Sequence, residues 1–445
     1  MKKNASKAIS LVLSAIMAMS TFAGLAGCKK VVDPAALKPV DLGGYEFILA
    51  SHWASEYEPE RGASDYGDAL LDLIDEIQTE YNCKITVKSY PVKDTIASEV
   101  HTSIMAGDKP FDVLDLWTGA YTSLLSSNDL YDQKSIKKLD FTNGNFNTNV
   151  VTMGTWNEKV YGSWIGISNN VSGMFFNADM IAKKGLESPY DLYASDKWTF
   201  TKFKEMMKTL TEDTNGDGTP EVYGMVGNQQ IEEALLFAGG GGYVSKTADG
   251  QFAFGLDTPK SMAAVEYIRS LYSEKLIHPE KDWLGVGQVF AEGGAAFIPY
   301  FVWANQWFSE MEAEYGFVPF PRADAEKDYI AYTDEPRMFV MPKTLTDPEK
   351  TGIIFNQLSR LAIPGKASFE TSYKDLGFSD KAIEYFYKVA AVTKWNPANG
   401  VDTNEAKLAL LYACQDPTAE PASKFAEIKD MMNTNIKDYY DKLPK

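Results

Sequence analysis

Asp213, Asn215 and Asp217 occupy alternate positions in a short polar stretch, and Gly218, Thr219 and Glu221 follow at once. An EF-hand-type calcium loop uses this arrangement: oxygens at alternate positions, a Gly at the sharp turn, then a backbone carbonyl and a further side-chain oxygen. Asp213, Asn215, Asp217, Thr219 and Glu221 are therefore candidate ligands of a structural Ca2+. The position that should carry a bidentate Glu is Gly224, so another segment or water would have to complete the shell. The competing reading is a polar turn in which Asn-Gly-Asp-Gly serves backbone geometry alone. In either case the loop is a brace and not a catalyst.

Groups able to do covalent chemistry are sparse. His52, His101 and His278 form no His-Glu-x-x-His zinc motif. No Gly-x-Ser-x-Gly elbow occurs. Gly239 to Gly242, followed by Ser245-Lys246-Thr247, lacks the Gly that a phosphate loop places before its Lys. The three cysteines, Cys28, Cys83 and Cys414, are too few for a cysteine-ligated metal. Cys83 and Cys414 are expected as free thiols, although two cysteines in an exported chain could also pair. No required cofactor and no catalytic residue is expected; paired carboxylates for glycoside hydrolysis stay open, because 61 acidic residues offer many pairs.

The N-terminus carries chemistry of another kind. Lys2, Lys3 and Lys7 precede an apolar run from Ala8 to Ala26, the layout of a secretory signal, and Leu25-Ala26-Gly27-Cys28 has the residue order of a bacterial lipobox. This predicts a signal peptide over 1–27, cleavage before Cys28 and a lipid (palmitate-type acyl chains) on its sulfur. Residues 28–43 would form a lipidated polar tether, which places the protein on the outer face of the cell membrane. An ordinary signal in which Cys28 is incidental, or an uncleaved anchor of near-membrane length, are the alternatives.

The 445 residues suggest about two domains, and 45% hydrophobic with 23% charged residues is a globular balance. The net charge of −18 argues against nucleic acid as a partner and would repel anionic ligands at long range. Aromatics reach 13%, with nine Trp, enough to supply both core and a surface that stacks on uncharged, sugar-like faces.

The elements that must position such a surface are readable. Tyr45 to Ala50 predicts a strand. Leu70, Leu73, Ile74, Ile77 and Tyr81 lie on one face of a helix, and Ile85 and Val87 alternate as a second strand. Strand, helix, strand implies a right-handed parallel unit. A helix over 95–106, a strand over Phe111 to Leu116 and a helix from Gly119 follow. Farther on, Phe200, Phe203, Met206, Met207 and Leu210 form a stripe capped by Thr199, and Thr258-Pro259 starts a helix bearing Met262, Val265, Ile268 and Tyr272. The fold class expected is α/β, with two domains of mainly parallel sheet flanked by helices.

A longer series then becomes specific. Phe175-Phe176-Asn177 precedes a helix and Gly185-Leu186. Pro189, Trp198-Thr199-Phe200, Asp213-Thr214-Asn215-Gly216-Asp217-Gly218 and Tyr223-Gly224 follow in order. Phe290-Ala291-Glu292-Gly293-Gly294-Ala295-Ala296, Trp303 and Gly316-Phe317-Val318-Pro319-Phe320-Pro321 come after. In this order the chain resembles the family 1 extracellular solute-binding proteins of bacterial ABC importers, whose best-known relatives are the maltodextrin-binding proteins. The resemblance covers about residues 40–445. It implies a two-lobed periplasmic-binding-protein-like fold with a hinge and a ligand cleft between the lobes. The crossings would fall near Tyr161–Ile167 and Tyr332–Met338. The first lobe would then hold 40–164 plus 337–395, and the second 165–336 plus 396–445.

Ligands of open α/β sheets sit beyond the carboxyl ends of the strands. That rule selects Ser51-His52-Trp53 and Trp117-Thr118-Gly119. Trp53, Trp117, Trp164 and Trp303 are the candidate stacking residues, and Trp117 and Trp303 also match regions that carry ligand-stacking Trp in the maltodextrin-binding relatives. Asn169, Asn170, Asp334 and Arg337 are candidate hydrogen-bonding partners near the crossings, and His52 is a weaker one. Trp198 is assigned to packing, and Trp156, Trp283, Trp307 and Trp395 are read as structural. The expected activity is capture of a carbohydrate, an oligosaccharide in the first instance, and its delivery to ABC importer permease subunits by a monomer. The alternatives are the same fold holding a polyamine or peptide, and an exported carbohydrate-active enzyme.

Overall fold

The computed structural model describes residues 39–333 and 336–445. The signal, Cys28 and Asp334 lie outside the described residues. Leu42, inside the segment expected to be tether, is packed, 2% exposed, with its N–H donating to the Tyr81 carbonyl at 2.8 Å.

Local chemistry sets the first unit. Ser64 Oγ accepts the Gly67 N–H at 3.0 Å, and Asp65 and Asp68 complement the positive end of the Asp65–Tyr81 helix. The helix stops at Asn82, which takes a left-handed conformation with φ 46°. The strands on either side, Tyr45–Ser51 and Cys83–Ser89, pair in parallel with Tyr45 beside Cys83. Val113–Trp117 joins Tyr45–Ser51 on its other side, again in parallel. Arg337–Val340 completes this sheet antiparallel to Val113–Trp117.

The second sheet has the order Tyr315–Val318, Ser172–Asn177, Ala295–Phe301, Tyr223–Met225. Ser172–Asn177 runs against both its neighbours, whereas Ala295–Phe301 and Tyr223–Met225 are parallel. Each sheet is thus three co-directional strands and one opposed strand. The opposed strands, Arg337–Val340 and Ser172–Asn177, are those that enter from the other lobe, a feature that periodicity within a strand does not encode.

Alternation along the strands sorts side chains onto two faces of each sheet. In the first, Phe47, Leu49, Val113 and Phe339 face one core, and Ala50, Leu114, Leu116 and Met338 the other. In the second, Phe175, Ile298 and Phe317 oppose Met174, Phe176, Phe297 and Val318. The expected helical stripe of Phe200–Leu210 is buried against the latter core, and Thr199 Oγ1 caps it.

The segment expected to lie wholly in the first lobe, 337–395, divides. Phe355, Leu358 and Leu361 belong to the first-lobe core, but Tyr373, Phe378, Ile383 and Phe386 pack in the second. The chain crosses again along the Ala362–Asp375 helix. Thr393–Trp395 then pairs in parallel with Ala331–Thr333. The C-terminal helix Pro421–Tyr440 buries Phe425 and Met432 in the second lobe, but Leu443 beyond it reaches a first-lobe core. The helices after residue 361 carry ordinary amphipathic stripes, which mark a buried face without saying which sheet buries it.

Candidate ligand-binding site

Two register pairs locate the gap between the lobes. Trp117, at the carboxyl end of its strand, lies opposite Arg337, the first residue of the returning strand. Phe301, at the carboxyl end of its strand, lies opposite Ser172, the first residue of the strand that follows the first crossing. Both opposed strands therefore enter beside the carboxyl ends of the co-directional strands, and these two edges flank the hinge. The crossing itself is held by Ser163 and Phe339, which exchange backbone hydrogen bonds at 2.7 and 3.1 Å.

On the first edge, one candidate, Arg337, gathers two others, Trp53 and Trp164. The Arg337 guanidinium lies 4.0 Å from the Trp53 ring centroid and 5.3 Å from that of Trp164. Its Nε donates to Asp115 Oδ1 at 3.1 Å, its Nη2 to Asp115 Oδ2, and its Nη1 to Glu56 Oε2 at 2.8 Å. Asp115 is fully buried and also accepts from Ser51 Oγ at 2.9 Å and Tyr57 Oη at 3.0 Å. Ser51 Oγ in turn accepts the Trp53 N–H at 2.9 Å, which fixes the loop after the first strand. Burial opposes the charge of Arg337, but the Asp115 carboxylate outweighs it and holds the guanidinium protonated, above its ordinary range. Burial and the same carboxylate hold the Tyr57 phenol well above its usual range. Trp164 is stacked on Phe339 at 4.8 Å and donates from Nε1 to the Ile167 carbonyl at 2.9 Å.

Beside this cluster opens a cavity of about 380 Å³. Glu56, Tyr57, Tyr66, Trp164, Asn169 and Arg337 line it from the first lobe and the crossing, and Phe369 and Tyr373 from the third crossing segment. Its walls are mostly apolar, with a few polar groups, the usual character of a small-molecule site. Asn169 is exposed at this cavity, and its side chain bonds Tyr373.

The remaining candidates lie apart from it. Trp117 is half-buried beneath the Lys93 ammonium, 4.9 Å from its ring. Trp303 belongs to the second edge, stacked at 6.2 Å on Phe301 and edge-on to Tyr300 and Trp307. Asn170 gives its backbone carbonyl to Thr333 Oγ1 at 2.9 Å. His52 Nδ1 lies 3.0 Å from the Tyr90 carbonyl.

Residues 63–353 match the family of bacterial extracellular solute-binding proteins. The chain belongs to that family. No curated protein sequence matches it. Among solved structures, a cyclo/maltodextrin-binding protein complexed with maltotetraose has a TM-score of 0.62 at 13% identity, over 89% of this chain and 97% of that one. An ABC substrate-binding protein of Listeria monocytogenes in complex with cycloalternan has a TM-score of 0.56 at 15% identity, over 88% and 99%. UgpB of Mycobacterium tuberculosis, in complex with glycerophosphocholine, has a TM-score of 0.58 at 15% identity, over 89% and 99%. These solved structures share the two-lobed fold of this solute-binding protein.

Sequence reasoning passed over several groups that shape the site of this solute-binding protein. Asp115, Glu56 and Tyr57 surround Arg337, and Tyr66, Phe369 and Tyr373 line the cavity. Asp115 carried one usable signal: a charged residue inside the apolar run Val113-Leu114-Asp115-Leu116 needs a buried partner.

In the candidate calcium loop the side chains serve the backbone. Asp213 accepts the Gly216 and Gly218 N–H groups at 2.7 and 2.8 Å, Asn215 accepts that of Asp217, and Asp217 that of Thr219. Glu221 accepts from Thr214 and from Asn215 Nδ2. Among the described residues, no three His, Cys, Asp or Glu side chains are grouped to hold a metal ion. Cys83 and Cys414 are free thiols.

Proposed function

We propose that this solute-binding protein captures an uncharged carbohydrate, an oligosaccharide in preference to a single sugar, between its lobes and presents it to the permease subunits of an ABC importer. The observation that carries this reading is the state of Arg337. Indole rings stand on both edges of the hinge, and the Arg337 guanidinium beside Trp53 and Trp164 is already matched by Asp115 and Glu56. The first edge therefore offers aromatic faces and hydrogen-bonding rims, with the Arg337 charge already matched by buried Asp115 and by Glu56. Such a surface suits a sugar, which has C–H faces and a girdle of hydroxyls. An amine-bearing solute would want unpaired carboxylates beside the rings, whereas Asp115 is buried under Arg337 and Glu56 is ion-paired to it through Oε2. The structural neighbours complexed with maltotetraose and cycloalternan support the same class.

Binding would draw the lobes together about the crossings, and the closed form would be the signal to the importer. Lipid on Cys28 would hold a monomeric receptor at the outer face of the membrane, its solute released unaltered. Among the described residues, no helix is long and apolar enough to cross a membrane.

A thermal-shift screen of the purified protein against neutral glycans, polyamines and short peptides tests the ligand class. Saccharides should raise the melting temperature, since a ligand at a hundred times its Kd stabilises by about 2.7 kcal/mol. A rise confined to amines or peptides would overturn the proposal, and release of new reducing ends would favour an enzyme. Loss of membrane association on Cys28→Ala would support the anchor.

A further inference from the structure

Trp156, read from sequence as structural, also binds the segment that follows the last helix. Its indole Nε1 and Asn157 Nδ2 both donate to the Pro444 carbonyl, each at 2.9 Å. Leu443, one residue earlier, is 5% exposed and packs into the first-lobe core that holds Tyr161 and Met338. The receiving hairpin is fixed to the first lobe. Its strands Thr155–Trp156 and Lys159–Val160 pair antiparallel across Asn157 and Glu158, both left-handed at φ 47° and 64°, the signature of a tight two-residue turn. Asp132 Oδ1 accepts the Val160 N–H at 3.0 Å, and Lys134 Nζ donates to the Glu158 carbonyl at 3.1 Å.

The other end of the segment is held by the second lobe. The Pro421–Tyr440 helix ends on Tyr440, whose ring lies flat on Phe252 at 3.9 Å and whose hydroxyl donates to the Pro397 carbonyl at 2.6 Å. Asn433 Oδ1, on the same helix, accepts the Phe254 N–H at 2.9 Å. Where the two sides meet, the contacts are between rings. Trp156 is tilted against Tyr440 at 5.8 Å, and Tyr121 stands edge-on to Trp395 at 5.9 Å with its buried hydroxyl unpaired. Such ring contacts break no hydrogen bond when they slide, whereas the Pro444 carbonyl, with two donors, stays put. The hairpin runs straight into the first crossing at Tyr161, so this attachment lies beside the hinge.

We propose that residues 441–445 act as a clasp, a noncovalent link between the lobes beside the covalent crossings, which limits how far the lobes swing apart. A link far from the axis would have to break at each closure. One beside it stays fastened while the lobes turn, and so confines the movement instead of blocking it. The proposal rests on the lobe movement in the reading above and not on the class of solute, so its test is run without ligand.

The test compares the full chain with the double variant Trp156→Phe/Asn157→Gly and with Leu443→Ser by small-angle X-ray scattering and amide hydrogen exchange. The double variant removes both donors to Pro444 but keeps a ring, and glycine suits the left-handed position of the turn. The radius of gyration should rise and the distribution of interatomic distances should broaden. The Ser163 and Phe339 amides, which bond each other's carbonyls at the crossing, should exchange about tenfold faster, the effect of roughly one lost hydrogen bond. Amides of the Ala295–Phe301 strand should keep their wild-type rates. Scattering that superimposes on wild type overturns the clasp whatever the melting temperature does. Exchange that quickens equally through the second-lobe core also overturns it, since that is plain loss of packing. Should Leu443→Ser fail to fold, the double variant decides.

Discussion

The Arg337 guanidinium lies 4.0 Å from the ring centroid of Trp53. The contact joins residues from the first strand's loop and from the strand that returns to the first lobe after the second has been built. Trp53 is placed by its own strand and loop, where Ser51 Oγ accepts its N–H, and is then covered by a side chain of the returning strand, so the ligand edge and the hinge share one residue.

Arg337→Met should be strongly destabilising. Asp115 is 0% exposed and would keep only the hydroxyls of Ser51 and Tyr57. Stranding a buried charge costs about 3–5 kcal/mol. Urea unfolding should show a lower midpoint, and pairing the change with Asp115→Asn should recover part of the loss. An unmoved midpoint would show that Asp115 does not depend on the arginine.

Trp303→Ala and Trp198→Ala should separate binding from packing. Trp198 is 0% exposed and donates from Nε1 to the Pro319 carbonyl at 2.7 Å. Its removal should cost about 3–5 kcal/mol of stability and leave saccharide affinity unchanged in the folded fraction. Trp303 is half-buried against Phe301 and Trp307. Its loss should lower affinity by about 1–3 kcal/mol along with a smaller loss of stability. Titration and melting curves on the same samples measure both.

Stability should fall on mild acidification through His278. Burial holds its imidazole below the ordinary value, with Glu280 pulling the other way. Its Nδ1 accepts the Glu280 N–H at 3.0 Å, and the ring meets Tyr223 edge-on at 4.8 Å. The unfolded chain takes up this proton near pH ~6.5, whereas the folded chain does so only at lower pH. Between the two the unfolded state binds more protons, so stability drops as pH falls through that window. His278→Asn should flatten this part of the melting-temperature profile; an unchanged slope would remove His278 from the acid response.

Chelation should leave the melting temperature unchanged. The 213–221 loop already uses the Asp213, Asn215 and Asp217 oxygens to accept backbone N–H groups. A drop on adding a chelator, reversed by Ca2+, would show that these oxygens also hold an ion.

Much of this architecture could be read from short stretches of chain. The stripe Leu70, Leu73, Ile77, Tyr81 became the buried face of a capped helix, and the strands beside it paired in parallel. Trp53 and Trp164 flank Arg337, whereas Trp117 and Trp303 lie apart from that cluster. Periodicity reports which face of an element is buried, and a Trp just past a strand end is placed by that strand. The pairing of Arg337 with Asp115 was not legible in this way, because the two lie 222 residues apart.

The ordered series of family motifs, the α/β class and the lack of recognised catalytic motifs were properties of the chain as written, since each depends on neighbours within a few residues. The antiparallel entry of the crossing strands, the transfer of Phe378 to Phe386 into the second lobe and the exposure of Trp283 were settled in the folded molecule. An amphipathic segment specifies that it must be covered but carries no record of what covers it, and that choice is made by contacts between residues far apart along the chain.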